Sequence, residues 1–562
     1  MTSWNSVGIA KLPAVVAMVS AAVAVPCCAF GEKTSPDLLA VGAQNVDVIV
    51  QYRTDPGERH HRKVTDRGGR FRRGLDLIRG AAYTIPGSEV AALAEDPEVE
   101  HISIDHPLTS AGVDYMRETV GAISAQQSGW TGKGIGIAVI DSGIFNMGDL
   151  SNNVYSQAFV SGGAANVDNY GHGTHVAGII GGQGVWSASG FYHFGGIAPA
   201  ATLISLAALD GNGQGTDSTV IAAINAAIQL KSQYNIRVIN LSLGRPVYES
   251  YKVDPLCQAV EKAWKAGIVV VVAAGNEGRN NSANTEGYAT ITAPGNDPYV
   301  ITVGAMKTMG TSTRGDDLVA SYSSKGPTLF DHVVKPDLVA PGNQIVSVAV
   351  ANFATLEANY ATNYAPYSDY CSYSGNSPYY FVLSGTSMAT GVVSGAAALL
   401  LQQTPSLTPD QVKARLMKTA SKSFPSSSVA TDPVTHATYT SYYDIFTIGA
   451  GYLDVWAALN NTDVAQGSAE SPTVTYNPSK RTVSLVLSGS NIVWGTNIVW
   501  GTNIVWGTNV LVSGSNIVWG TNIVWGTSSM SGFGIVWGTN VVWGTTAANS
   551  SETTTILVKG EK

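Results

Sequence analysis

What most constrains this chain is a pattern running from about residue 120 to 460. Short, near-continuous apolar runs rich in β-branched residues recur there: Ile135 to Ile140, Thr202 to Ala207, Val238 to Leu243, Ile268 to Ala273 and Val300 to Val303. Helical stretches lie between them, at Ala177 to Gly181, Ser218 to Leu230 and Pro255 to Ala266. A strand that is apolar along its whole length needs cover on both faces, and parallel neighbours need a crossover, usually a helix. The pattern predicts an α/β domain over 115–460 with a parallel central sheet and helices on both faces. Ligands in such sheets bind at the carboxyl ends of the strands, so the polar residues at those ends are the ones to weigh.

Four stand out. Asp141 closes the first run, in Ala138-Val139-Ile140-Asp141-Ser142-Gly143. His172 lies in Gly171-His172-Gly173-Thr174-His175-Val176-Ala177-Gly178, just before an apolar helix. Asn276 follows another run, in Ala273-Ala274-Gly275-Asn276-Glu277-Gly278. Ser387 lies in Ser384-Gly385-Thr386-Ser387-Met388-Ala389-Thr390, ahead of the Ala-rich run Gly391 to Leu401. Each alone has a plain structural reading: a turn Asp, a core histidine, a turn Asn tolerating positive φ, a Ser capping a buried helix. Their conjunction carries chemistry. A serine hydroxyl is a weak nucleophile until a base takes its proton, and that base is oriented by a carboxylate. The attacked carbonyl becomes an oxyanion that needs fixed donors, which an amide side chain and a helix N-terminus supply.

The motifs VIDSGI, GHGTHVAG, VINLSLG, AAGNEG and SGTSMAT, in that order, resemble those of the subtilisin family of serine peptidases. The order Asp, His, Ser and the oxyanion Asn are established features of subtilisin itself. The resemblance implies that Ser387 attacks the scissile carbonyl, that His172 is general base and then acid, and that Asp141 fixes its tautomer. It implies that Asn276 and the backbone N–H of Ser387 bind the oxyanion, and that His175 is structural. Ser242, Leu243 and Gly244, with Ala273, Ala274 and Gly275, would hold a peptide as an added strand and line the first specificity pocket, with Thr292 near its floor. Pairing with backbone reads peptide shape more than side chains, which suits a broad endopeptidase acting on proteins or peptides. No cofactor is implied. Many relatives bind structural calcium, but the loop Gly181 to Gly195 lacks a clear set of carboxylates, so no metal ligand is assigned.

Two departures from the family pattern are visible. Gly391 stands where Pro is usual, four residues after the nucleophile. The stretch Ala351 to Tyr380, with seven tyrosines from Tyr360 onward and Cys371, reads as an insertion. It is either a wall of the cleft or a self-packed surface loop, with the second favoured.

The flanks are distinct. Lys11, the apolar run Leu12 to Val25 and the small residues near Ala29 read as a signal peptide over 1–29, placing the protein outside the cell or at its surface. Cys257 and Cys371 would then remain, either paired or as buried thiols. Residues 45–107 read as a small α+β unit. Its strands are Val46 to Tyr52, Ala81 to Ile85 and Val99 to Asp105, and its helices are Gly68 to Arg79 and Ser88 to Ala94. One further strand would make it a β-α-β-β-α-β fold. The family resemblance implies that this unit is the chain's own inhibitory pro-segment, cut off between His106 and Val120. The nine Lys or Arg residues from Arg53 to Arg79 read as a solvated loop. With a formal charge of -8 overall, nothing points to nucleic acid. From 472 to 558 a hexapeptide, Asn-Ile-Val-Trp-Gly-Thr at 491, 497 and 503 and varied to 545, predicts a β-rich repeat tail. It is either a structural Trp ladder or a contact with a cell surface, glycan or partner. The competing reading of the whole chain is an adhesion protein with a degenerate peptidase domain.

Overall fold

The computed structural model describes residues 33–35, 38, 44–105, 115–188, 192–280, 285–350, 353–370, 376–432, 436–477, short strands between 482 and 517, and 550–561. The chain divides into two compact units, Met1–Thr109 and Ser110–Lys562. The signal-peptide stretch and most of the repeats lie outside the described residues.

The first unit runs β1 (Asn45–Tyr52), helix Glu58–Thr65, β2 (Arg70–Leu75), β3 (Gly80–Pro86), helix Gly87–Ala94 and β4 (Val99–Ile104). Its antiparallel sheet has the order β2-β3-β1-β4. Alternation along β1 buries Val48, Val50 and Tyr52 against the helices. The β-α-β-β-α-β order is present, but the expected helix at Gly68 to Arg79 is not. That stretch is β2 followed by a 3-10 turn at Asp76–Ile78. β2 is an edge strand with no buried residue, and Arg70, Arg72 and Arg73 lie on it. Charge on an edge discourages pairing with other chains, yet it erases the apolar alternation by which a strand is read. The helix lies instead at Glu58–Thr65, inside the stretch read as a solvated loop, and buries only His60 and Val64, four residues apart.

The second unit is built on β5 (Gly136–Asp141), β6 (Asn153–Ala158), β7 (Thr202–Ala207), β8 (Ile236–Leu241), β9 (Val269–Ala273), β10 (Ile301–Lys307), β11 (Leu318–Val319) and β12 (Leu338–Pro341). The order is β11-β10-β9-β8-β5-β7-β6, with β12 also on β10. Every pairing is parallel except β10 with β11. β5, β9 and β10 are buried at every position, as their β-branched runs require. Helices His172–Gly181 and Thr386–Gln403 pack on each other, and Asp217–Tyr234 with Pro255–Lys265 form a second packed pair. The strand order turns at β5, whose neighbours β7 and β8 carry the chain to opposite edges. A crevice opens outside the carboxyl ends of strands at such a point.

Three further stretches resolve open questions. Tyr364, Tyr370 and Tyr380 of the insertion are buried in the core, and Tyr380 donates to Asp149 at 2.5 Å. Cys257 is free and buried, and its thiol donates to Asn296 Oδ1 at 3.3 Å; Cys371 lies outside the described residues. The described parts of the tail include short antiparallel strands such as Thr473–Asn477 with Thr482–Val486, but its last stretch, Ser550–Lys559, is a helix. Among the described residues no helix is long and apolar enough to cross a membrane.

Candidate active site

Asp141 is the last residue of β5 and is fully buried. Its Oδ1 accepts from the Ser142 N–H at 2.8 Å and from His172 Nδ1 at 2.8 Å. A carboxylate only accepts, so the proton sits on Nδ1 and leaves the lone pair on Nε2. His172 opens the helix His172–Gly181. Burial alone would lower its pKa, but the charge and hydrogen bond of Asp141 and the charge of Asp168 prevail, and the pKa is raised above its ordinary value. Gly171, one residue before, has φ +97°, and a Cβ there would stand 2.6 Å from the buried carboxylate of Glu357.

Ser387 is the second residue of helix Thr386–Gln403, so its N–H has no intrahelical acceptor. Its Oγ donates to the Ser242 carbonyl at 3.1 Å, and no hydrogen bond joins it to His172. Asn276 Oδ1 accepts from the Thr386 N–H at 2.9 Å and from Thr386 Oγ1 at 3.1 Å. With the oxygen held, Nδ2 is the group left to donate. Gly385 has φ +152°, and a Cβ there would lie 3.2 Å from that Nδ2. His172, Asn276, Ser387, Ser242, Leu243 and Gly244 line one cleft.

The subtilase family matches residues 132–439 of this sequence. The chain belongs to that family. It is 38% identical to the serine protease AprX of Bacillus subtilis (strain 168) over 341 residues, covering 59% of this chain and 72% of AprX. It is 34% identical to subtilisin E of the same organism over 367 residues, 64% of this chain and 79% of that one. It is 33% identical to an extracellular serine proteinase of Thermus sp. (strain Rt41A) over 356 residues, 60% of this chain and 70% of that one. The protein is thus a subtilisin-like serine endopeptidase.

Of the other residues singled out in the sequence, Ala273, Ala274, Gly275 and Thr292 are not among those that line this subtilase cleft. Ala273 and Ala274 are buried, and the Ala274 N–H donates to Val303 O at 3.0 Å. Thr292 stands between two glycines. Its Oγ1 is 2.5 Å from where a Gly244 Cβ would be, and its Cγ2 is 2.8 Å from that of Gly275. The Ala293–Pro294 peptide beside it is cis. His175 is structural: burial drives its pKa down to about 3, and Nε2 faces the carbonyls of Phe381 and Ile345 at 3.0 and 3.2 Å. Gly391 is where helix Thr386–Gln403 meets helix His172–Gly181, and a Cβ there would be 3.1 Å from Ile179 Cγ2. Among the described residues, none of the insertion's tyrosines lines the cleft.

Asp168, Asn240 and Ser394 escaped the sequence reading, as did the side-chain role of Ser242. Asp168 is buried and accepts from the N–H groups of Tyr170, Gly171 and Thr174 and from Thr174 Oγ1 at 2.7–3.1 Å, capping the helix that begins with His172. Ser242 Oγ donates to Ser387 O at 2.8 Å, accepts from Asn240, and Asn240 in turn accepts from Ser394. The signal was available: an Asp four residues before the histidine, and polar residues within apolar runs. At the far end of the cleft, Arg245 bridges Asp217 and Asp254. Among the described residues no three His, Cys or carboxylate groups gather as a metal site. Asp149, whose carboxylate meets the loop Gly181 to Gly195, accepts from the N–H groups of Val185 and Trp186 and from Tyr380.

Proposed function

We propose that Ser387, His172, Asp141 and Asn276 carry peptide-bond hydrolysis. The observation that supports this most is the buried 2.8 Å bond between His172 Nδ1 and Asp141, at a cleft that Ser387 also lines. A turn about the Ser387 Cα–Cβ bond takes Oγ from the Ser242 carbonyl toward Nε2; such bonds are often long or absent until substrate binds. As Oγ attacks, its proton passes to Nε2 and the carbonyl π pair moves to oxygen. Asn276 Nδ2 and the Ser387 N–H donate to that oxyanion. On collapse the C–N bond breaks and Nε2 returns the proton to the leaving amine. Water repeats the sequence on the ester, activated by the same base. Asp141 stabilises the imidazolium that forms in each half.

Leu243 and Gly244 would hold the substrate backbone, with Thr292, between Gly244 and Gly275, limiting the depth of the first pocket. Residues 45–107 would act as an inhibitory pro-segment that the enzyme itself removes, and the enzyme would work outside the cell. The family and the name of the Thermus relative support these readings. Surface or glycan contact through the Trp repeats rests on their composition alone. Labelling with a fluorophosphonate probe, with Ser387→Ala as control, tests the nucleophile. The same variant should keep residues 45–107 covalently attached; normal trimming of the purified variant would rule out self-processing.

A further inference from the structure

The segment after the repeats enters the catalytic cleft. Ser550–Lys559 is helical, and Ile556, Leu557 and Val558 are 3, 8 and 7% exposed. Leu557 lines the same cleft as His172, Asn276 and Ser387. Its carbonyl accepts from the N–H of Ser384, three residues before the nucleophile, at 2.8 Å. The Val558 carbonyl accepts from Asn363 Nδ2. Gly560 has φ +62°, and a Cβ there would be 2.3 Å from Ser384 Oγ, so only glycine passes.

The chain then delivers Glu561 into a buried pocket. Its carboxylate accepts from Lys307 Nζ at 2.6 Å, Arg279 at 3.0 Å, the Ser321 N–H at 2.8 Å and the Ser321 hydroxyl. Its backbone N–H donates to Asn343 Oδ1 at 2.8 Å, and its carbonyl accepts from Asn343 Nδ2 at 2.6 Å. The Arg279 and Lys307 side chains are only 9 and 7% exposed. Arg279 also pairs with Asp432 and lies over the Tyr439 ring. Cations this buried need carboxylate partners, and backbone bonds to one asparagine fix where the acidic residue sits. This is a built site for an acidic residue that follows a helix end. The helix that brings Glu561 to it is weak by composition, with Thr553, Thr554, Thr555, Ile556 and Val558 all β-branched. Docking, more than intrinsic propensity, therefore holds it. Ser387 Oγ donates to Ser242, and no carbonyl of the segment is bonded to it, so the segment enters the cleft without presenting a bond for attack.

We propose that Arg279, Lys307, Ser321 and Asn343 form a carboxylate-binding pocket that anchors residues 556–561 of this chain, with Leu557 in the cleft, and that the anchored segment competes with substrate. The inference rests on the reading of Ser387 as nucleophile. The segment's hydrogen-bond partners do not include Ser242–Gly244 or Ala273–Gly275, although Leu557 lines the same cleft as Ser242, Leu243 and Gly244. The acidic residue would be recognised at a fixed distance along the peptide, as Glu561 lies four residues beyond Leu557.

The test uses the full chain, the full chain carrying Glu561→Lys, and a chain lacking residues 550–562. A competing segment taxes apparent affinity by the fraction of open cleft. Truncation should therefore lower KM for a ten-residue peptide substrate by about tenfold or more at similar kcat, and Glu561→Lys should move KM the same way. A synthetic peptide of residues 550–562 should inhibit the truncated enzyme competitively, and its Glu561→Lys version should not at the same concentration. An unchanged KM in both variants, with no inhibition at millimolar peptide, overturns the inference. If the truncated chain does not fold, the point variant and the rate of fluorophosphonate labelling decide: equal labelling rates with and without Glu561 refute docking. Failure of every form to label at Ser387 refutes the nucleophile reading instead.

Discussion

Asp168→Asn probes the link between chain geometry and catalysis most directly. In the folded protein Asp168 Oδ1 accepts from the N–H groups of Tyr170 and Gly171, and Oδ2 from the N–H and hydroxyl of Thr174. An asparagine can keep only one oxygen. The cheaper choice puts its NH2 where Oδ2 was, because the Thr174 hydroxyl can turn and accept. The Thr174 N–H is then a buried donor without an acceptor, costing about 1–3 kcal/mol. The surviving bonds lose their charge assistance, and the first turn of the helix loses an anion worth about 0.3–1 kcal/mol. The total is about 3 kcal/mol. Two consequences can be measured. In a Ser387→Ala background, which removes self-digestion, urea unfolding should show that loss. In the active enzyme kcat/KM should fall by about 10- to 100-fold, because the residue displaced is the first of the helix, His172. The sign of the pH effect also follows. The charge of Asp168 helps to raise the His172 pKa. The base works when neutral, so activity appears as pH rises through that pKa. Removing the charge lowers it and moves the acid limb of the profile to lower pH. A limb that stays in place or moves upward, with stability unchanged within about 0.5 kcal/mol, would refute the reasoning.

Asn276→Leu should lower kcat by about 10²–10³ with little change in KM, the loss established for the corresponding donor of subtilisin, read by steady-state kinetics on a peptide substrate. Gly395→Ala should destabilise by about 1–3 kcal/mol, since its Cβ would lie 2.6 Å from Ile197 Cβ. Gly391→Ala meets Ile179 at 3.1 Å and gains about 1 kcal/mol of helix propensity, so it should be close to neutral; both are measured by denaturant unfolding in the Ser387→Ala background. Burial pushes the Cys257 thiol far above its ordinary pKa. Iodoacetamide should therefore leave it unmodified until the protein unfolds, and mass spectrometry of the folded and urea-treated protein would show otherwise.

Asp141, His172, Asn276 and Ser387 could be singled out from the sequence because each sits in a short motif at an element end, beside β-branched runs whose burial is nearly complete. Those runs read correctly as parallel strands because a central strand is apolar on both faces. The edge strand Arg70–Leu75 read wrongly as a helix because an edge need bury nothing, and its identity comes from its partner at Gly80–Pro86. The helix at Glu58–Thr65 was missed because only His60 and Val64 face a core.

The order of motifs along the chain thus determined the reaction class, because nucleophile, base, carboxylate and amide are chemical identities that sequence states outright. Tertiary structure alone decided their aim. The Asn276 amide is turned by Thr386, 110 residues away, and the Ser387 backbone is held by Ser242, 145 residues away. Glu561 meets Lys307 across 254 residues and brings its own segment into the cleft. Hydrogen bonds depend on distance and angle in space, and a linear chain carries no record of either until its strands and helices have closed.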